Sequence, residues 1–218
     1  MNLEKLFFAI EIIGTVAFAI TGVITALEKK FDIFGAIVLG TVTAVGGGIV
    51  RDLILGYTPP MAFRKSVYAI TAVVTSLAVF IIAYFFGKKI QKHYDVYSQV
   101  INIFDSIGLS VFVVGGVNSA IACGFEENMF LSIFVATLTG VGGGVMRDIM
   151  AGRVPKILRK RVYALAAIIG AVIYYLLIYY SVCSSTAAII IGAGSVMIIR
   201  ILATVFHWNL PTVKNLDE

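Results

Sequence analysis

One motif occurs twice in this chain, each time inside an apolar stretch long enough to cross a bilayer. The first copy reads TVTAVGGGIVRD over 41–52, and the second reads TLTGVGGGVMRD over 137–148. Each glycine weakens a helix by about 1 kcal/mol relative to alanine, and each ionisable side chain in a membrane costs roughly 2.5–3.5 kcal/mol. Because the chain accepts both costs in two matched places, we interpret the motif as part of a transport path.

The composition indicates the class of protein. Of 218 residues, 60% are hydrophobic and 13% are charged, whereas soluble domains are about 45–50% apolar and about 25% charged. The chain is therefore predicted to be an integral membrane protein. Its net charge of +5 does not indicate nucleic acid as a partner, because the basic residues cluster between apolar runs and form no stripe with interleaved aromatics.

The apolar runs predict the fold class. A helix needs about 20 apolar residues to cross the hydrocarbon of a bilayer. Seven runs satisfy this requirement: 6–27, 34–55, 67–86, 101–122, 130–151, 162–180 and 186–206. We predict an all-α membrane protein with seven transmembrane helices. The connections are too short for a soluble domain, so we expect residues 1–218 to form a single transmembrane domain.

The two halves of the chain also match outside the glycines. Residues 63–69 (FRKSVYA) match 158–164 (LRKRVYA). Single-residue matches pair Gly14 with Gly108, Phe18 with Phe112, Gly22 with Gly116, Glu11 with Asp105, and Gly56 with Gly152.

Each repeat contains three spans, and this odd number makes the second repeat enter the membrane from the opposite side. We predict two inverted three-helix repeats, about 6–86 and about 101–180, plus a seventh helix at about 186–206. In such folds the transport path lies near the midplane, between the two halves.

Basic residues in the connections predict the orientation. Cytoplasmic connections carry an excess of Lys and Arg, and one alternating set is far more basic than the other, which holds Lys5, Arg64 and Lys65. The N-terminus is therefore predicted outside and the C-terminus in the cytoplasm. The basic set comprises Lys29, Lys30, Lys88, Lys89, Lys92, Arg153, Lys156, Arg159, Lys160, Arg161 and Lys214.

The glycine triplets predict discontinuous helices. Consecutive glycines allow a helix to kink or unwind, and a freed carbonyl at membrane depth must line a cavity or be buried in protein. Carbonyl oxygens along a wet path favour cations. The alternative is that the glycines allow close packing of helices. The candidate residues are Gly46, Gly47, Gly48, Gly142, Gly143 and Gly144.

Each triplet is followed by an arginine and an aspartate. Arg51 and Asp52, like Arg147 and Asp148, are sequence neighbours. Neighbours point about 100° apart on a helix, so we expect neither pair to form a face-to-face salt bridge. Two roles are open: the side chains line the pore, or they hold the kinked helices through hydrogen bonds.

Three further charges lie within the predicted spans. Glu11 and Asp105 come near the starts of spans 1 and 4, where they would concentrate cations at the two mouths or simply carry charge at a helix N-terminus. Arg200 lies inside span 7. It is expected to extend toward the cytoplasmic headgroups or, alternatively, to bind an internal carboxylate.

Signatures of other classes are missing from the sequence. The glycine triplets do not form a dinucleotide-binding or Walker motif. The two histidines are far apart, and the two cysteines have no metal-ligand spacing. We therefore predict that the chain is not an enzyme, and we expect no cofactor and no metal site.

The doubled GGGxxRD motif, the two three-span units and the seventh span together resemble the prokaryotic TRIC (trimeric intracellular cation) channels. The resemblance covers residues from about 8 to 206. It implies a homotrimer in the cell membrane, surrounded by lipids, in which each protomer holds an hourglass pore for K⁺ and Na⁺. It also implies that spans 2 and 5 are kinked at the triplets to form the central constriction.

Two other functions stay open at the level of sequence. The same prokaryotic domain is also described as a glycine transporter, so a secondary transporter of a small zwitterion is the alternative. A structural membrane oligomer without transport is a third class.

Overall fold

The computed structural model describes residues 3–90, 94–159, 162–206 and 208. Over these residues the chain forms nine helices and no strand. Among the basic residues that predict orientation, Lys92, Lys160, Arg161 and Lys214 lie outside the described residues. The helices are α1 (Leu3–Glu28), α2 (Ile33–Ile54), α3 (Met61–Arg64), α4 (Val67–Ile90), α5 (Tyr94–Ala122), α6 (Met129–Met150), α7 (Lys156–Arg159), α8 (Val162–Tyr179) and α9 (Ser185–Val205).

Seven of these helices are long and apolar enough to cross a membrane, which confirms the prediction of seven transmembrane helices. The other two, α3 and α7, are single turns that the apolar runs do not predict. They occupy matched positions, because each follows the second long helix of its repeat. They therefore belong to the duplication as well.

Short-range signals set the ends of the motif-bearing helices. The Asp32 carboxylate accepts a hydrogen bond from the Gly35 amide at 2.7 Å, at the start of α2. After the helix, Gly56 has a φ of +71°, and the Tyr57 amide bonds back to the Asp52 carbonyl at 2.8 Å. Glycine adopts this left-handed conformation without steric cost, and the bond satisfies a free carbonyl.

The second repeat ends its motif-bearing helix in the same way. Gly152 has a φ of +63°, and the Arg153 amide bonds to the Asp148 carbonyl at 2.8 Å. The matched glycines thus stop α2 and α6 at equivalent places, four residues after the Arg-Asp pairs.

The helices α2 and α6 continue without a break through both triplets. The expectation that the helices unwind at the glycines and free their carbonyls is therefore wrong. The physical reason is close packing: a side chain at Gly47 would collide with the Thr139 carbonyl oxygen, and one at Gly143 would collide with the Thr43 carbonyl oxygen. The glycines are used for approach of one backbone to the other, and both helices keep their own hydrogen bonds.

This contact between α2 and α6 is reciprocal, and we call it the glycine crossing. Gly47 contacts Thr139, and Gly143 contacts Thr43. In the aligned repeats Gly47 is equivalent to Gly143, and Thr43 is equivalent to Thr139. Residue numbers rise along one helix as they fall along the other, so the helices cross antiparallel. A reciprocal contact is what a two-fold axis produces, and it confirms that the repeats are inverted.

The first helices of the repeats meet around the same axis. The rings of Phe18 and Phe112 lie 5.2 Å apart, and side chains at Gly14 and Gly108 would crowd Phe112 and Phe18 respectively. Small residues at these positions thus let α1 approach α5. The matches seen in the sequence therefore mark the surface between the two halves.

The seventh long helix, α9, packs against α5 and α8 of the second repeat. A side chain at Gly192 would lie 2.7 Å from the Cβ of Tyr174, and one at Gly170 would collide with Val196. Because α9 has no counterpart in the first repeat, it is the largest departure from the two-fold symmetry.

We expect Gly143→Ala to destabilise the protein by about 1–3 kcal/mol, because extra volume in a well-packed contact forces the backbones apart. Gly194→Ala is the matched control, since a side chain there meets nothing within 4 Å and alanine favours a helix by about 1 kcal/mol. Denaturant unfolding in detergent measures both. Equal stability of the two variants would contradict the close packing at the glycine crossing.

Candidate functional site

Each repeat gathers one carboxylate, one arginine-aspartate pair and one tyrosine from its three long helices. The acid comes from the first helix, the pair from the second and the tyrosine from the third. The first-repeat cluster consists of Glu11, Arg51, Asp52 and Tyr68, and the second-repeat cluster consists of Asp105, Arg147, Asp148 and Tyr163.

Within each cluster the neighbouring arginine and aspartate are ion-paired. The Arg51 Nε donates to Asp52 Oδ1 at 2.7 Å, and the Arg147 Nε donates to Asp148 Oδ1 at 3.0 Å. The expectation that these pairs do not bridge is wrong. An arginine side chain is long and flexible enough to fold back to the adjacent carboxylate, even though the two Cβ atoms diverge.

The other oxygen of each aspartate holds a short helix. Asp52 Oδ2 accepts a hydrogen bond from the Met61 amide at 2.7 Å, and Asp148 Oδ2 accepts one from the Lys156 amide at 3.0 Å. Each carboxylate thus fixes the first residue of α3 or α7 against the end of α2 or α6. Of the two roles open for the Arg-Asp pairs, holding the fold through hydrogen bonds is directly visible.

The first-repeat cluster opens into a cavity of ≈ 390 Å³ of empty space, including its mouth. Glu11 lines it and accepts a hydrogen bond from the Tyr68 hydroxyl at 2.5 Å. Arg51 and Gly48, the third glycine of the first triplet, line it as well. The cavity therefore presents an acid, a guanidinium and bare helix backbone to whatever enters.

The second-repeat cluster is closed. Asp105 is 0% exposed, and its Oδ1 accepts a hydrogen bond from Arg147 Nη1 at 2.8 Å. The same Nη1 lies 3.0 Å from the hydroxyl oxygen of Thr21, on α1 of the other repeat. The expectation that Asp105 lies at an open mouth is therefore wrong, because a buried arginine already occupies the position that an entering cation would take.

Two further cations approach the other oxygen of Asp105. Lys156 Nζ lies 3.7 Å from Oδ2, and Arg200 Nη2 lies 4.0 Å from it. The Arg200 guanidinium also lies over the Tyr163 ring, 4.6 Å from its centroid. Of the two expectations for Arg200, binding an internal carboxylate is correct, and extension to the headgroups is wrong.

Lys156 lies outside the membrane-spanning helices, and its side chain is partly exposed. Burial lowers the pKa of its ammonium group to about 8, and Asp105 opposes this shift. The ammonium charge of Lys156 is therefore easier to remove than that of an ordinary surface lysine.

The second-repeat cluster keeps unused hydrogen-bonding capacity. Within the part of the chain that the structure describes, Asp105 Oδ2, the Tyr163 hydroxyl and Arg200 Nε are buried without a hydrogen-bond partner. Gly144 borders the same space: a Cβ there would lie 3.2 Å from the Tyr163 hydroxyl and 3.6 Å from Arg147 Nη2. Buried polar atoms are normally bonded to protein or to water, so this interior is suited to take up water.

The glycines of each triplet divide into two roles. Gly47 and Gly143 form the crossing, whereas Gly48 and Gly144 face the charge clusters. The remaining two also serve packing: a side chain at Gly46 would lie 2.5 Å from the Met146 sulfur, and one at Gly142 would lie 3.2 Å from the Gly47 Cα.

Sequence reasoning missed both tyrosines as site residues, as well as Lys156 and Thr21. The signal for the tyrosines was present, because Tyr68 and Tyr163 occupy the same position in the matched segments FRKSVYA and LRKRVYA. Thr21 carried no such signal, since its equivalent in the first-helix alignment is Gly115.

Comparison with known proteins gives a consistent set of relatives. A family model described as "Glycine transporter" matches residues 8–84 and 102–179, one match for each repeat. The "UPF0126 inner membrane protein YadS" of Escherichia coli (strain K12) is 36% identical over 217 residues, which is 98% of both chains.

Solved structures extend the comparison to the fold. A chain described under "Structural basis for conductance through TRIC cation channels" has a TM-score of 0.83 and 36% identity, with 100% of both chains covered. The TRIC trimeric intracellular cation channel orthologue from Rhodobacter sphaeroides has a TM-score of 0.83 and 29% identity, covering 94% of this chain and 100% of that one. These relatives are described as membrane proteins and channels, not as enzymes.

We expect Asp105→Asn to destabilise the fold by about 3–5 kcal/mol, because removing one partner leaves buried arginine charge uncompensated. Glu11→Gln is the matched control: its carboxyl lines an open cavity, and we expect a much smaller loss. Thermal unfolding in detergent compares the two. A similar loss of stability in both variants would contradict the conclusion that the second-repeat cluster is closed and the first-repeat cluster is open.

Proposed function

The chain belongs to the UPF0126 membrane-protein family, the prokaryotic branch of the TRIC (trimeric intracellular cation) channels, and on that premise we propose that it is a passive channel for monovalent cations. Each protomer holds its own pore. The observation that carries the proposal is the pair of matched charge clusters on either side of the glycine crossing, one of them open as a cavity. Inverted repeats of this kind place a transport path between their halves.

The proposed path runs from the first-repeat cavity, past the glycine crossing, to the second-repeat cluster. Gly46–Gly48 and Gly142–Gly144 form the central constriction, through packing of intact helices and not through freed carbonyls. Because no side chain stands between Gly47 and Gly143, a small separation of the two backbones is enough to widen this point. We infer that the path is closed at this point, because the two backbones are in contact.

Glu11 is the proposed cation-attracting group. It is a carboxylate in an open, mostly apolar cavity, and it accepts one hydrogen bond from Tyr68. A single carboxylate suits a weakly held monovalent ion, whereas Ca²⁺ takes six to eight oxygen ligands. Among the described residues no group of three or more His, Cys, Asp or Glu side chains is arranged to hold a metal ion.

Assembly and surroundings form part of the proposal. We propose a homotrimer in the lipid of the cell membrane, in keeping with the description of the Rhodobacter sphaeroides orthologue as trimeric. The outer face of α4 supplies an apolar surface for lipid or a neighbouring protomer, since Ile70, Val74, Ile82 and Phe85 are each more than half exposed.

One observation favours a second candidate function, a secondary transporter of a small zwitterion such as glycine. Glu11 and Arg51 line the same cavity, so a carboxylate and a guanidinium are available for the amine and the carboxylate of one amino acid. Single-channel recording and glycine uptake distinguish the two functions. Unitary K⁺ currents support the channel, whereas saturable glycine uptake without unitary currents supports the transporter.

We expect Glu11→Gln to reduce the unitary K⁺ conductance by about twofold or more at about 0.1 M salt, because the local attraction for cations is lost. The reduction should shrink near 1 M salt, where charges are screened within about 3 Å. Glu4→Gln on the same helix is the control, because Glu4 is exposed at the first turn of α1. Unchanged conductance in Glu11→Gln would remove Glu11 from the path.

The proposed orientation places the N-terminus outside and the C-terminus in the cytoplasm. Cys123, an exposed free thiol, follows α5 and is then on the outer side. We expect a membrane-impermeant maleimide to label it in intact cells. Lys30→Cys in a background with Cys123→Ser and Cys183→Ser is the opposite control, and it should react in inverted vesicles alone. The reverse pattern of labelling would show that the orientation is inverted.

A further inference from the structure

The two clusters share their four matched residue positions but not their charge. The first-repeat cluster holds one arginine against two carboxylates, which is a net charge of −1. The second-repeat cluster is approached by Lys156 and Arg200, so three cations face two carboxylates and the net charge is +1. The two ends of the proposed path therefore have opposite sign.

The added cations come from positions that the duplication does not share. In the aligned segments Lys156 corresponds to Met61, because each is the first residue of its short helix and donates its amide to the matched aspartate. Arg200 belongs to α9, which has no counterpart in the first repeat. The charge difference is thus a property of this chain's second half, not of the repeated motif.

We propose that Lys156 and Arg200 act as built-in counter-ions at the second carboxylate oxygen of Asp105 and make conduction through the pore rectify. This inference rests on the proposed function. Cations gather at the negative first-repeat cluster and are repelled at the positive second-repeat cluster, so current in the two directions meets different barriers. Lys156 is the adjustable member, because its side chain is 23% exposed whereas that of Arg200 is 3% exposed.

The groups around Lys156 make its charge titratable at moderate pH. It faces Asp105 and Asn102 from α5, and the charges of Arg147 and Asp148 from α6 and of Arg200 from α9 also act on it. With a pKa of about 8, the ammonium loses its proton as the pH rises through that value. Rectification should then fall, and conductance should rise, between neutral and alkaline pH.

The test is single-channel recording in planar bilayers at about 0.1 M KCl, comparing currents at equal and opposite voltages. We expect the wild type to rectify. Lys156→Met, which installs the residue of the equivalent first-repeat position, should lower the rectification ratio and raise the conductance by about two- to fivefold, the effect of one unit charge a few ångströms away in water. The pH dependence should be lost in the same variant.

Two further variants separate charge from structure. Lys156→Arg keeps the charge and should keep the rectification. Met61→Lys places a cation in the first-repeat cluster, so it should also lower the rectification ratio but reduce the conductance. The conductance thus changes in opposite directions in Met61→Lys and Lys156→Met. Met61→Lys still tests the proposal if Lys156→Met folds poorly, since it leaves the second repeat intact.

Arg153→Met is the matched control, because it removes one positive charge from the same connection. Arg153 pairs with Glu28 and not with Asp105, so we expect a smaller effect than in Lys156→Met. An equal effect would assign rectification to the general charge of the connection and overturn the inference. A wild type with equal currents in both directions, or a Lys156→Met variant that rectifies unchanged, would also overturn it.

The same recording separates this inference from the proposed function. Absence of any unitary K⁺ current in the wild type would remove the channel, and the inference with it. A wild-type K⁺ current combined with any of the contrary outcomes above would support the channel and overturn only the proposed role of Lys156 and Arg200.

Discussion

Contact between two helix backbones is the constraint on which this structure depends. Gly47 and Gly143 allow α2 and α6 to approach until each helix faces the other's carbonyl oxygens, and no other residue has a small enough side chain. The arginine and aspartate follow about one turn later in each helix, on opposite sides of the crossing. The position of both charge clusters, and the helices α3 and α7 that their aspartates hold, therefore follow from that one contact.

The two halves show how few changes turn an open cluster into a closed one. Arg147 is anchored by Asp105 and by the Thr21 hydroxyl, whereas the position equivalent to Thr21 in the other half is Gly115. A Cβ at Gly115 would lie 3.7 Å from a Glu11 carboxyl oxygen, so this glycine borders the first-repeat acid without binding it. The first half therefore keeps its arginine away from its acid and leaves space between them.

The sequence predicted the fold more completely than it predicted the site. Hydropathy predicted the seven helices, and the doubled motif predicted their inversion, because both signals are patterns that repeat along the chain. The interpretation of the glycines was wrong, since a triplet that breaks a helix and a triplet that packs a helix look the same until the partner backbone is known. Asp105 and Glu11 were likewise equivalent in sequence. Contacts from other parts of the chain distinguish them, because Thr21, Lys156 and Arg200 reach the cluster of Asp105, whereas Glu11 lines a cavity.

The reciprocal nature of the glycine crossing has a consequence for the origin of the chain. A surface that fits its own inverted copy is self-complementary, so a separate three-span ancestor inserted in both orientations could pair with itself through the same glycines. Fusion of two such copies would fix one orientation of each within a single polypeptide. In a fused chain the two halves can differ, and α9 brings an arginine to one half that a dimer of identical subunits could not keep from the other.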